Sequence, residues 1–143
     1  TALVSALSVR DIPAEHTATG QEKMTAAFGE RRTALLVSVS FSRLFPDPVQ
    51  IETDFTRNVL YRALANRIIR QAGPASIVRR DHEYTLRIII FAAQGTDPDL
   101  YIYQMKKALE RHFGATRVAR LDFSSFGTSQ NPEYTRDFLN GVH

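Results

Sequence analysis

The densest run of ionisable residues is Arg79-Arg80-Asp81-His82-Glu83. A histidine between two carboxylates is suited to proton transfer or to holding a divalent cation. Adjacent side chains in a strand-like turn diverge, however, so the same five residues also read as the charged decoration of a solvated turn. A second constellation lies upstream. Arg62, Asn66 and Arg70 recur at helical spacing, and guanidinium forks match phosphate oxygens in pairs. Extended by Arg79 and Arg80, with Asp81 or Glu83 reading a base, this arginine face would suit a nucleotide or cyclic dinucleotide. Arginine on an exposed helix face is also ordinary solubilising chemistry.

Other chemistries lack their residues. The 143-residue chain has no cysteine, which excludes disulfides, thiolate zinc sites and cysteine nucleophiles. The histidines at 16, 82, 112 and 143 show no ligand spacing, so no metal site is expected. Ser38, Ser40, Ser42, Ser124 and Ser125 lie outside any nucleophile elbow, and neither phosphate-loop pattern occurs. No catalytic residue and no cofactor is assigned. A net charge of +3 with acids dispersed along the chain is too even to imply nucleic-acid binding. Phe41, Phe91 and Phe123 occur singly, unlike the paired aromatics of an RNA-stacking sheet. No apolar run approaches the ~18 to 20 residues of a membrane span, and a soluble, cytoplasmic domain is expected.

Periodicity places these residues on elements. Ala2–Val9 reads as strand or loop, and Thr19–Arg31 as a helix. Ala34–Phe41 has the β-branched, apolar character of a buried strand. Within Asp54–Gln71, Leu60, Leu64 and Ile68 form an apolar stripe, which Gly73-Pro74 stops. Ala75–Arg79 and Tyr84–Ala93 read as a hairpin around the charged run. Asp97-Pro98-Asp99 opens a helix with core face Ile102, Met105, Leu109 and Phe113, ended by Gly114. Thr116–Phe123 is predicted as a strand, followed by a polar loop and a short helix over Pro132–Leu139. Phe45 and the Phe123–Phe126 segment are candidate contact points.

The order of strand, helix, two-strand hairpin, helix and strand predicts an α+β fold of ferredoxin-like or nucleotidyl-cyclase-like type, with helices packed mainly on one side. Residues 34–127 form its core, 1–33 an N-terminal extension with a helix, and 128–143 a tail.

From Ala34 onward the chain resembles the GGDEF domain of diguanylate cyclases. Ala34–Phe41 corresponds to the first strand, Asn58-Val59-Leu60 with Ala63 echoes the following helix, and Ile77–Arg87 stands at the signature hairpin. Ser38 and Ser40 replace metal-binding aspartates, and Arg80-Asp81-His82-Glu83-Tyr84 replaces the signature itself. The inhibitory Arg-x-x-Asp site falls on Ala72-Gly73-Pro74-Ala75. Phosphoryl transfer needs carboxylates that fix Mg²⁺. The resemblance therefore implies a degenerate, non-catalytic domain of a bacterial cyclic-di-GMP-related signalling system, working through contact with a protein partner or neighbouring domain. Nucleotide sensing through the arginine face is the alternative, and a ferredoxin-like nucleic-acid-binding module is a further one.

Overall fold

The run Thr33–Ser40 lies at the heart of the sheet because both of its faces are apolar. Leu35, Val37 and Val39 point to one side and Ala34 and Leu36 to the other, all at most 1% exposed. Burying a side chain of this size contributes about 1.5 to 3 kcal/mol. The computed structural model describes residues 17–44, 51–80 and 84–141. Within them, α1 (Thr17–Gly29) precedes β1 (Thr33–Ser40), and a 3-10 turn (Ser42–Leu44) follows. Next come α2 (Ile51–Ala72), β2 (Ile77–Arg80), β3 (Thr85–Ala92), α3 (Pro98–Phe113), α4 (Ala115–Val118), β4 (Asp122–Ser129) and α5 (Pro132–Leu139).

The four strands are ordered β2-β3-β1-β4, and each neighbouring pair is antiparallel. With β1, α2, β2, β3, α3 and β4 in sequence, this is the split βαβ arrangement of a ferredoxin-like sheet. The α+β class expected from the sequence is thus observed. One face carries α2 and α3, whose Tyr61, Leu64, Ala65, Ile68, Ile102, Met105 and Leu109 pack on the odd positions of β1. The opposite face is covered along part of its length by α1 and α5, through Met24, Ala27, Phe138 and Leu139.

Local chemistry fixes the helix ends. Gly73 stops α2 with φ +89°, a region that L side chains rarely adopt. Asp97 caps α3 by accepting a 2.9 Å hydrogen bond from the Asp99 amide. Asn131 caps α5 by accepting from the amides of Glu133 and Tyr134 at 2.8 and 3.2 Å. Each cap is followed by a proline, which has no amide hydrogen to satisfy.

One expected element is displaced. The strand predicted over Thr116–Phe123 is instead the short helix α4 and a turn, with β4 beginning at Asp122. Val118 and Leu121 are spaced one helical turn apart, and both are buried in the α2/α3 core, 2% and 3% exposed. That pair serves a helical turn rather than a pleat. The strand itself lies in the segment expected to be a polar loop.

Candidate functional site

Among the described residues the displaced strand, β4, ends the sheet on one side. It pairs with β1 from Ser40↔Asp122 to Val37↔Ser125 and again at Leu35↔Thr128 and Ala34↔Ser129. One residue of β1, Leu36, thus faces two of β4, Phe126 and Gly127, which defines a bulge. Gly127 takes φ +87° at this point, and its amide donates to Ser125 Oγ at 3.2 Å.

Both ends of β4 are tied down. Asp122 receives Arg43 Nη1 at 2.9 Å. Phe123 packs against the α2/α3 core, and Lys106 Nζ lies 5.5 Å above its ring. At the far end, Ser129 is buried, and its carbonyl accepts from Thr33 Oγ1 at 3.3 Å. Thr135 Oγ1, fully buried, lies 2.9 Å from the Ser129 hydroxyl and 2.8 Å from the Asn131 carbonyl. Phe126 stacks on Phe138 with ring centroids 5.1 Å apart, and the Arg87 guanidinium lies over both rings at 5.9 and 5.2 Å.

Between these anchors, residues 124–128 are all exposed. An edge strand leaves every second amide and carbonyl unpaired along its outer side, a ready template for another strand. From Phe123 to Ser129 this edge carries no charge and no proline. The arrangement can add an extended chain by main-chain hydrogen bonds, with Phe126 as an apolar contact.

The residues selected from the sequence do not meet in one place. Arg62 and Arg70 lie on α2, half-buried and exposed respectively. Arg79 and Arg80 are consecutive on β2 and take opposite faces, as the two-residue period of a strand requires. Arg79 follows the register of Ile77 onto the α1/α5 face, where it donates to Asn140 Oδ1. Arg80 follows Val78 toward the α2/α3 face, near the Tyr61 hydroxyl. Asp81, His82, Glu83 and Phe45 lie outside the described residues, as does the Ala2–Val9 segment.

The hairpin return is nevertheless defined. Tyr84 adopts φ +63° while its carbonyl accepts from the Phe41 amide at 2.6 Å. Its ring packs edge-on to Tyr61 at 5.0 Å, and Tyr61 packs on Phe41 at 4.8 Å. Burial pushes the Tyr61 hydroxyl up to about 12, against the pull of Arg80, and burial alone pushes Tyr101 to about 12. Ser38 and Ser40 share the α1/α5 side of β1, and Ser40 Oγ lies 2.9 Å from Ser42 Oγ. Among the described residues no three histidines or carboxylates are grouped to hold a metal, and no helix is long and apolar enough to cross a membrane.

Sequence reasoning did not single out Arg87, Arg136, Gln21 or Asn140, all of which the fold gathers on the α1/α5 side. Arg87 carried one usable signal: it interrupts the apolar run of β3 at a position that must face inward. Comparison with known proteins gives one relation. No curated protein and no solved structure matches the chain. The family model TP_0208_C, described as an uncharacterised protein C-terminal domain, matches residues 14–138, and the chain belongs to this family.

Proposed function

We propose that this chain is a non-catalytic regulatory or scaffolding domain that acts through protein–protein contact, with the outer edge of β4 as its docking surface. The occupant is an extended segment of a partner protein, added to the sheet as a fifth strand. The observation that carries this reading is the uncharged, exposed stretch 124–128 on an edge strand anchored at both ends. The resemblance to GGDEF domains supports the non-catalytic part. It puts serines at 38 and 40 where cyclases use aspartates, and it directs the search for partners to cytoplasmic cyclic-di-GMP-related signalling in bacteria.

Selection of extended peptides from a displayed random library against the chain tests the proposal. Selected peptides are expected to lose at least tenfold in affinity when Ser125→Lys and Thr128→Lys are combined, because lysines on an edge oppose strand addition. Both positions are exposed, so the stability change stays within about 0.5 kcal/mol. Peptides that bind the double variant as well as the parent chain overturn the reading. Concentration-dependent self-association abolished by the same pair of lysines would make the occupant a second copy, contrary to the proposal.

A further inference from the structure

On the α1/α5 face a cleft of about 130 Å³ opens between α1, β2 and α5. Its apolar floor is Met24 and Leu139, 2% and 5% exposed. Its polar lining is Gln21, Arg79, Arg136 and Asn140. The Arg79 guanidinium donates to Asn140 Oδ1, and Arg136 Nη1 donates to Gln21 Oε1 at 3.1 Å.

Both acceptors are neutral carboxamides. They orient the two guanidinium groups without cancelling their charge, and among the described residues neither arginine has a carboxylate within ion-pair distance. Arg87 is the direct cross-strand partner of Arg79, but its guanidinium is turned over the Phe126 and Phe138 rings and donates to the Phe138 carbonyl, so the cleft's cations are Arg79 and Arg136.

We propose that this cleft is a binding site for a single phosphate group, separate from the β4 edge and independent of its role. Guanidinium forks take phosphate oxygens in pairs, and the amide hydrogens of Gln21 and Asn140 are neutral donors beside them. At about 130 Å³ the cleft has room for one tetrahedral oxyanion between the two guanidinium groups. A free phosphate ion and the terminal phosphate of a small monoester share this chemistry.

The test is an NMR titration of the whole ¹⁵N-labelled chain with sodium phosphate at constant ionic strength, with sodium chloride as the control and ethyl phosphate as a second ligand. Saturable shifts are expected at the amides of Gln21, Arg79 and Asn140. Arg136→Gln, at an exposed position, should weaken binding at least tenfold, whereas Arg70→Gln on α2 leaves it unchanged. Tighter binding of ethyl phosphate assigns the site to a monoester, and tighter binding of inorganic phosphate assigns it to the free ion. Shifts that do not saturate, that chloride reproduces, or that survive Arg136→Gln at full affinity overturn the proposal.

Discussion

The two edges of the sheet are built to different rules. At one end β2 has four residues, two of them arginines, and it follows directly on the Gly73-Pro74 break. At the other end β4 has eight residues, and its single charge, Asp122, is paired with Arg43. A short, charged strand discourages pairing with another chain, whereas a long, uncharged one invites it. Within one fold the sheet is therefore closed on the β2 side and open on the β4 side.

The contrast can be broken most severely from beneath β4. Phe138 is 1% exposed and supports Phe126 and Arg87 at the bulged end. Phe138→Ala should cost about 3 to 5 kcal/mol, read from the urea midpoint. Amide exchange should show residues 126–129 losing protection before β3 does.

A smaller effect separates the β2 side by pH. Tyr61, beside Arg80, has its hydroxyl raised from 10.0 to about 12 by burial. A folded value above the unfolded one favours the neutral form, so its contribution is complete below about pH 10. It falls away as pH rises through about 12. Alkaline unfolding should therefore loosen the Tyr61, Tyr84 and Phe41 cluster, and Tyr61→Phe should flatten this part of the stability profile.

The smallest change in stability sharpens the comparison. Arg80→Thr removes an exposed charge from β2 and should alter stability by no more than about 0.5 kcal/mol. It should also make the guarded edge more adhesive, seen as increased light scattering at high concentration. Unchanged scattering would show that strand length, and not charge, guards β2.

Buried elements were legible in the sequence because burial imposes a period. β1 and β3 were found to within a residue or two, and the stripe of α2 through Leu64 and Ile68 marked its core face. The cap at Asp97 with Pro98 marked a helix start through side-chain chemistry. β4 was misplaced because its pairing with β1 is made by the backbone. Ser124, Ser125 and Thr128 carry no apolar pattern, while Val118 and Leu121 just before them do. The arginine face was read along the chain, and it came apart where consecutive residues of β2 took opposite faces. The Arg79–Arg136 cleft was not legible, since it joins residues 57 apart that only the packing of α5 on the sheet brings together.

The most direct measurement is amide hydrogen exchange over 122–129, with the chain free and with a selected extended peptide bound. Docking on the β4 edge predicts fast exchange of the outward amides between Ser124 and Thr128 in the free chain and strong protection in the complex, with β2 unchanged. Protection confined to α2, or to the β2 edge, would contradict the account.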